Sequence, residues 1–363
     1  MTKAVPSIEP RARVRSMPEY HPPLGNRNCM RLDFNENTVA CSPAVLAALQ
    51  GITAADLTRY PEREPMEALA AQHLGVTPEE VVLTNGVDEA IHILCQAFLD
   101  AGDELLLPVP TYTMYGIYAA ATEATVVRVP AEADFRFPFA ALLAAITPRT
   151  KLIAIANPNS PTGSIATREQ IIALAEAAPH ALVLVDEAYF HFYGETVLDL
   201  ISKIPNIIVA RTFSKAYGLA ALRLGLLAGS PMHLQWARRV LSPYSVNHVA
   251  LTCLGAALHD QSYLDWYVKE VMQSRAEFLK ELTRIGVRYW PTKANFVLVE
   301  IGSAHKPFAA AMQQQGVLVR DRSADPGCDG CVRITIGTRN QMQVALAAIE
   351  AFLRSPQAVG VTP

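Results

Sequence analysis

The chain has 363 residues, of which 51% are hydrophobic and 18% are charged, and its formal net charge is −3. This length and apolar content support a large core and exclude global disorder. The mildly acidic balance excludes the basic footprint of a nucleic-acid-binding protein. No signal peptide and no apolar stretch of membrane-spanning length are visible, and the six cysteines are thinly spread, so we predict a cytoplasmic protein without a membrane partner.

The middle of the chain alternates short apolar runs with amphipathic segments. Seven runs bounded by Gly, Pro or Asn are typical of buried strands, at 81–84, 104–108, 125–129, 152–156, 182–185, 207–210 and 222–228. Helical patterns lie between them at 88–101, 112–121 and 167–178, the last of which begins with a capping box from Thr167 to Gln170. The alternation predicts an α/β fold with a three-layer, mostly parallel sheet in a domain spanning residues 44–260.

The two ends of the chain predict a second, smaller unit. We interpret residues 1–43 as an N-terminal arm and part of this small domain, and residues 261–363 as the rest of an α+β domain. Its helices are expected from Tyr263 onward, at 307–315 and at 339–353, and its strands at 295–301, 317–320 and 332–336. The N-terminal segment is expected to pack back across it.

Lys215 lies just beyond a predicted buried strand, in the run 210–219. Burial lowers the pKa of a lysine, and a lysine with a lowered pKa forms a Schiff base with an aldehyde. A lone lysine in such a place is more often a surface residue of a loop. Lys215 is not alone, because the hydroxyl of Ser214 and the guanidinium of Arg223 flank it, and both suit a phosphate.

Asp186 ends the apolar run 182–185, which predicts a carboxylate at the carboxyl edge of a central strand. Ligands of open α/β sheets bind at that edge. A carboxylate there can pair with a protonated ring nitrogen and keep an electron sink active. For Asp186 taken by itself, capping of the following helix is the more common role.

Two further strand ends carry weaker signals. After the run 81–84 the chain reaches Gly86, Val87 and Asp88, where the free N–H groups of a starting helix form a phosphate cradle. The NPNSPTG segment at 157–163 predicts a rigid loop of amide groups suited to a ring hydroxyl, with a plain turn as the alternative. No GxGxxG and no GxxxxGK[ST] motif supports a dinucleotide site or a P-loop.

Taken in order, the motifs TNGxDE, PxY, NPxxPTG, VDEAY and TxSKAxGLxxxRxG resemble those of the fold-type I pyridoxal-phosphate aminotransferases. The chain looks most like the histidinol-phosphate aminotransferase branch, with further matches at PEY (18–20), NEN (35–37), RYP (59–61), 316–321 and VRITIGT (332–338). The resemblance covers nearly the whole chain. It implies pyridoxal 5'-phosphate as the cofactor, an amino donor and a 2-oxo acid as substrates, and a homodimer.

The resemblance also implies a role for each matched residue. Lys215 would hold the cofactor as a Schiff base and move protons, Asp186 would pair with the pyridinium nitrogen, and Tyr189 would hydrogen-bond the ring 3-oxygen. Tyr112 would stack on the ring. The other assignments are phosphate binding by Gly86, Val87, Asp88, Thr212, Ser214 and Arg223, a contact from Tyr60 to the phosphate of the neighbouring subunit, and substrate binding by Tyr20, Asn37, Arg320 and Arg333. Without the resemblance, Arg333 would equally well be a surface strand residue.

Two departures from the family pattern bear on the site. The family usually has Asn directly before the second proline of the NPxxPTG loop, where this chain has Ser160. We expect Asn159 rather than Ser160 to contact the ring oxygen. The family also usually has a proline after the NEN motif, where this chain has Thr38. Because that segment lies beside the substrate in the family, the second departure bears on substrate identity rather than on the cofactor.

The activity that the resemblance favours is transfer of the amino group of histidinol phosphate to 2-oxoglutarate in histidine biosynthesis. The alternatives are an aromatic or other amino-acid aminotransferase of the same branch, a threonine-phosphate decarboxylase, and a non-catalytic cofactor-binding regulatory domain. Such regulatory domains usually carry a DNA-binding segment, for which the arm is too short. Cys328 and Cys331 form a CxxC pair without further ligands nearby, so we predict a structural loop there and no metal site.

Overall fold

The computed structural model describes residues 8–17, 19, 21 and 28–358. In chain order its strands are β1 (Met30–Arg31), β2 (Val81–Asn85), β3 (Glu104–Val109), β4 (Thr125–Pro130), β5 (Thr150–Ala156), β6 (Leu182–Asp186), β7 (Ile207–Thr212), β8 (Leu224–Gly229), β9 (Phe296–Glu300), β10 (Val317–Leu318), β11 (Arg320–Asp321) and β12 (Cys331–Thr335). Its helices are α1 (Ala12–Arg15), α2 (Pro43–Gln50), α3 (Ala54–Thr58), α4 (Glu64–Leu74), α5 (Gly86–Phe98), α6 (Met114–Ala121), α7 (Phe139–Ala145), α8 (Arg168–Ala177), α9 (Phe190–Tyr193), α10 (Pro231–Val240), α11 (His248–His259), α12 (Gln261–Arg284), α13 (His305–Gln314) and α14 (Arg339–Leu353).

The central sheet has the strand order β2-β8-β7-β6-β5-β3-β4. Strand β8 runs antiparallel to both of its neighbours, and the other strand pairs are parallel. All seven runs predicted as strands belong to this sheet, and the predicted capping box of Thr167 opens α8. The predicted α/β fold with a mostly parallel sheet is therefore confirmed.

Strand β6 shows why apolar runs form the centre of the sheet. Leu182 and Leu184 pack into one hydrophobic cluster, whereas Val183 and Val185 pack into another on the opposite face. Successive side chains of a strand point to opposite faces, so a strand covered on both sides must be apolar throughout. The polar residue that ends such a strand is then conspicuous, and in β6 it is Asp186.

The parallel strands β5, β6 and β7 end at the same edge of the sheet. The register pairs Ala156 with Asp186, and Asp186 with Ala210. As a result, the 157–163 loop, Asp186 and the loop after Thr212 leave the sheet side by side. This edge positions the candidate site.

The C-terminal part contains a small antiparallel sheet with the order β11-β12-β9. The single strand predicted at 317–320 was wrong, because its two halves pair with different partners. Strand β10 pairs in parallel with β1, whereas β11 pairs antiparallel with β12. The second pairing places Arg320 directly opposite Arg333.

The N-terminal segment packs on this C-terminal part. The N–H of Leu32 donates to the carbonyl of Leu318 at 2.9 Å, and the N–H of Thr335 donates to the carbonyl of Leu32 at 2.8 Å. Residues 30–32 thus lie between β10 and β12. The domain boundaries at 43/44 and 260/261 stay predictions. None of the helices in the described residues combines the length and apolarity needed to cross a bilayer.

Glu67 of α4 allows the contribution of a buried, ion-paired carboxylate to the stability of the fold to be measured. Its side chain is 4% exposed and contacts Arg63 and Arg238, each at 3.0 Å, while it accepts the N–H of Leu83 at 2.9 Å. We expect Glu67→Ala to lower the free energy of unfolding by about 3–5 kcal/mol, because two cations lose their buried partner.

Denaturant unfolding of the variant measures this loss. The control is Glu123→Ala, which breaks only the exposed pair with Arg11 and should leave stability almost unchanged. Equal effects of the two substitutions would contradict the argument.

Candidate active site

Asp186 is a buried carboxylate whose two oxygens both accept hydrogen bonds. The hydroxyl of Tyr115 donates to Oδ2 at 2.6 Å, and the N–H of Ala188 donates to Oδ1 at 3.0 Å. Burial raises the pKa of Asp186 to about 6, against the lowering effect of the Tyr115 bond, and the charges of Asp88 and Glu187 raise it further. An ionised Asp186 thus has acidic neighbours and needs a cation beside it.

Tyr115 lies in the first turn of α6 and is 1% exposed. It was not among the site residues predicted from the sequence. Its place three residues after Tyr112 in the predicted helical pattern 112–121 was the available signal, since residues three apart lie on the same face of a helix. The two rings meet edge to face at 5.8 Å, and the hydroxyl of Tyr112 donates to Asp88 at 2.6 Å. Tyr112 therefore lies between the start of α5 and the residues around Asp186.

Lys215 follows β7, and its ammonium donates to the carbonyl of Phe34 at 2.9 Å. The lysine loop ends at Gly218, whose φ is +72°, and a Cβ there would lie 2.9 Å from the carbonyl oxygen of Ala40. Glycine is required by both the left-handed backbone and the close contact. The N-terminal segment thus packs directly on the lysine loop.

Tyr189 is 7% exposed and its ring packs edge to face on Phe296 at 5.1 Å. Its hydroxyl oxygen accepts the side-chain N–H of Asn35 at 2.9 Å. Asn35 is 1% exposed and has a φ of +55°. The NEN motif contributed to the family resemblance, but Asn35 was not among the site residues predicted from the sequence.

The predicted phosphate-binding residues are brought together around the start of α5. Gly86 has a φ of +77°, and a Cβ there would lie 2.6 Å from Nη2 of Arg223. A Cβ on Gly225 would lie 2.6 Å from the carbonyl carbon of Gly86, so this turn leaves room for main chain only. The first N–H groups of a helix bind anions, and the guanidinium of Arg223 lies beside them.

The side chains of two of these residues, Thr212 and Asp88, bond to protein groups rather than being free to bind a phosphate. Thr212 Oγ1 accepts the N–H of Ser214 at 3.1 Å and so orients the serine turn. The carboxylate of Asp88 pairs with Arg223 at 2.9 Å and accepts from Tyr112, so only the main chain of Asp88 suits an anion.

Arg333 and Arg320 face each other across two strands. Arg333 is 8% exposed and donates to Ser160 Oγ at 2.9 Å and to the carbonyl of Asp33 at 2.6 Å. Among the described residues its Nε has no hydrogen-bond partner. Burial lowers the pKa of Arg333 to about 10. The guanidinium of Arg320 lies 5.4 Å from the ring centre of Phe34. The pair forms a cationic face suited to a carboxylate or phosphate.

The contacts of Asn159 argue against the contact predicted for it. Its amide N–H groups donate to the carbonyl of Pro110 at 2.9 Å and to Thr162 at 2.8 Å, and its oxygen accepts from Thr111 at 2.6 Å. Both donors are used within its own surroundings, so none is left for a ring oxygen. The hydroxyl of Ser160 is instead the group of this loop that lies against Arg333.

Two other predicted residues, Asn37 and Tyr60, do not face the site with their side chains. Asn37 donates to the carbonyl of Ala216 at 3.1 Å and accepts the N–H of Val39 at 2.9 Å, so it anchors the segment rather than facing a substrate. Tyr60 is 76% exposed and stacks on Tyr244 at 4.2 Å. Tyr20 lies outside the described residues.

The donor set fits pyridoxal phosphate. A buried carboxylate with no counter-ion in the described ranges suits a protonated ring nitrogen, and a primary amine suits the aldehyde. The phenol of Tyr189 suits the ring oxygen, and a helix start with Ser214 and Arg223 suits the phosphate. These groups lie at the edge where β6 and β7 end.

The family model described as aminotransferase class I and II matches residues 27–349. The chain is 34% identical to the histidinol-phosphate aminotransferase of Thermoanaerobacter pseudethanolicus over 85% of this chain and 88% of that protein. It is also 34% identical to that of Moorella thermoacetica over 97% of this chain and 92% of the relative. The crystal structure of histidinol-phosphate aminotransferase from Sinorhizobium meliloti in complex with pyridoxal-5'-phosphate superimposes with a TM-score of 0.87 at 27% identity, covering 95% of this chain and 97% of the other.

The hydrogen bond from Tyr115 to Asp186 can be tested by measuring the pKa of Asp186. Because the folded pKa, about 6, exceeds the ordinary value of 3.8, ionising Asp186 opposes folding. The stability that protonated Asp186 contributes is fully present below pH 4 and is lost as the pH rises through 6. Tyr115→Phe removes a donor to the carboxylate, so we expect the pKa of Asp186 to rise further.

Infrared difference spectra of the cofactor-free protein can follow the carboxyl band, with Asp186→Asn identifying it. An unchanged midpoint in Tyr115→Phe would show that the hydroxyl does not stabilise the carboxylate.

Proposed function

Since this chain belongs to the aminotransferase class I and II family, we propose that it transfers the amino group of histidinol phosphate to 2-oxoglutarate in histidine biosynthesis. It is a pyridoxal-phosphate-dependent aminotransferase. The observation that carries the proposal is the sheet edge with Asp186 and Lys215, together with the cationic pair Arg320 and Arg333. The two are joined by adjacent residues, because Asp33 accepts from Arg333 and Phe34 accepts from Lys215. Two relatives that span most of the chain support the choice of substrate. A cytoplasmic location stays a prediction from the sequence.

The bound cofactor supplies an electron sink that accepts the electron pair released when a bond to the substrate α-carbon breaks. The protein holds this sink active through Asp186, whose ionised form pairs with a protonated ring nitrogen. The Ala188 N–H and the Tyr115 hydroxyl keep the carboxylate in place for that pairing. Asp186 also gains the counter-ion that its buried position requires.

Lys215 performs two tasks in this proposal. Its amine would hold the cofactor through the aldehyde between turnovers and, when free, would accept and return a proton at Nζ. Phe34 is suited to hold the free amine near the site, because its carbonyl accepts from Nζ at 2.9 Å. Proton transfer by a positioned side chain contributes about 10²–10⁴ in rate.

Arg333 and Arg320 bind the anionic end of each substrate. Nε of Arg333 is buried and has no partner within the part of the chain that the structure describes, so an incoming carboxylate or phosphate oxygen satisfies a donor that otherwise opposes folding. The reaction runs in two halves, because the same site must first release the keto product of the donor and then bind 2-oxoglutarate. Both substrates carry an anion, which one cationic face can serve.

A homodimer completes the site in this proposal. Tyr60 is exposed on its own chain and stacks on the exposed Tyr244, so the pair is available to a second copy. There Tyr60 reaches the phosphate site formed by Ser214 and Arg223. The support is the matched RYP motif together with the exposure of Tyr60, whose ring stacks on Tyr244.

A half-reaction screen tests the substrate. We expect stoichiometric histidinol phosphate to change the visible absorbance of the holoprotein at once, with glutamate also active and phenylalanine slow. Lys215→Ala should lose turnover by at least about 10²–10⁴-fold. A rapid response to phenylalanine without one to histidinol phosphate, or release of carbon dioxide from threonine phosphate, would reject the proposed substrate.

Mixed dimers test the contact of Tyr60. In a hybrid of a Tyr60→Phe chain and a Lys215→Ala chain, one site would carry both substitutions and the other neither. We therefore expect the hybrid to keep one site of wild-type kcat and KM. Absence of a wild-type site in the purified hybrid would place Tyr60 in its own chain's site instead.

A further inference from the structure

Asn35 is the most constrained polar residue beside the site. It is 1% exposed and adopts a φ of +55°, a left-handed conformation that Asn tolerates better than most residues. A buried residue in such a conformation needs surrounding contacts that hold it there. Those contacts come from β12 and from the segment just before β9.

The hydrogen bonds around Asn35 determine which end of its amide faces Tyr189. The hydroxyl of Thr335 accepts the main-chain N–H of Asn35 at 3.0 Å and donates to the amide oxygen at 3.2 Å. The side chain of Asn295 donates to the carbonyl of Asn35 at 3.1 Å. With its oxygen engaged by Thr335, the amide turns its N–H towards Tyr189, at 2.9 Å.

This orientation constrains the phenol. An amide nitrogen is a donor only, so the Tyr189 oxygen must accept from Asn35 and its own proton must point elsewhere. A hydroxyl whose lone pair is already occupied is set up to donate. The ring oxygen that the proposed function assigns to Tyr189 is an acceptor.

We propose that Asn35 is a positioning residue that makes the Tyr189 hydroxyl a hydrogen-bond donor to the ring oxygen of the cofactor. The inference rests on the proposed function, because Tyr189 reaches a ring oxygen only when pyridoxal phosphate occupies the site. Asn35 itself contacts Tyr189 and not the reacting atoms. It links the hydroxyl to Thr335 and Asn295 of the C-terminal part.

Two substitutions of Asn35 separate this role from general support of the fold. Asn35→Asp keeps the shape but replaces the donor with an acceptor, so the phenol proton turns towards residue 35 and away from the ring oxygen. Asn35→Gly removes the amide without adding charge and adopts the positive φ freely. The second variant keeps the test valid if the first does not fold.

The measurement is equilibrium binding of two ligands to cofactor-free protein: pyridoxal phosphate and its analogue without the 3-hydroxyl. We expect Asn35→Asp to weaken binding of pyridoxal phosphate about tenfold or more relative to the analogue, and Asn35→Gly to do so by a smaller factor. In a Tyr189→Phe background, neither substitution should change the ratio of the two dissociation constants.

The matched control is Asn206→Asp, the same change at a buried Asn whose amide donates to the carbonyls of Ala175, Ala178 and Ala181. It should lower thermal stability and leave the ratio unchanged. If both Asn35 variants weaken the two ligands equally, Asn35 only supports the fold and the inference fails. If wild-type protein binds neither ligand, the proposed function fails instead.

Discussion

The buried carboxylate of Asp186 is the group on which the rest of the site depends. Strand β6 is buried along its whole length, Asp186 included, and burial opposes ionisation of that residue. The protein partly offsets this with two hydrogen bonds, from Tyr115 and Ala188. What remains is a need for a positive charge, which a protonated pyridine would supply in the proposed function. Cofactor binding would then relieve the unfavourable burial of the Asp186 carboxylate.

The same reasoning applies to the cations. The net charge of −3 suggests no anion-binding capacity, yet Lys215, Arg223, Arg320 and Arg333 lie along one edge and one adjoining face. Each contacts a carbonyl, a hydroxyl, an aromatic ring or a single carboxylate. Arg223, for example, pairs with Asp88, whose carboxylate also accepts from Tyr112. Net charge reports on the surface as a whole, whereas the chemistry depends on where a few charges lie.

Much of the fold was predictable because burial on both faces of a strand leaves a continuous apolar run in the sequence. The split of 317–320 was not, because both halves have strand-like residues and only the partner strands differ. In the site, Asp186 and Lys215 end or follow apolar runs and are visible for that reason. Asn159 and Ser160 are adjacent and both polar, so the sequence could not show which of them is free to contact the ring oxygen. That depends on which side chain forms hydrogen bonds within the loop and its surroundings, and in the structure it is Asn159. The same holds for Asn35 and Asn37, two residues apart in the NEN motif but with different partners.

The N-terminal segment ties these groups together. Within three residues it supplies the carbonyl of Asp33 to Arg333, the carbonyl of Phe34 to Lys215 and the amide of Asn35 to Tyr189. A shift of this segment would move the hydrogen-bond partners of Lys215, Tyr189 and Arg333 together. Substitutions at these three residues should therefore be energetically coupled. The departure at Thr38 lies just beyond this stretch, where Thr38 bonds to Gln341 at 2.7 Å. The segment thus keeps an anchor on the C-terminal part without the proline that the family usually has there, which leaves its contacts with the three side chains in place.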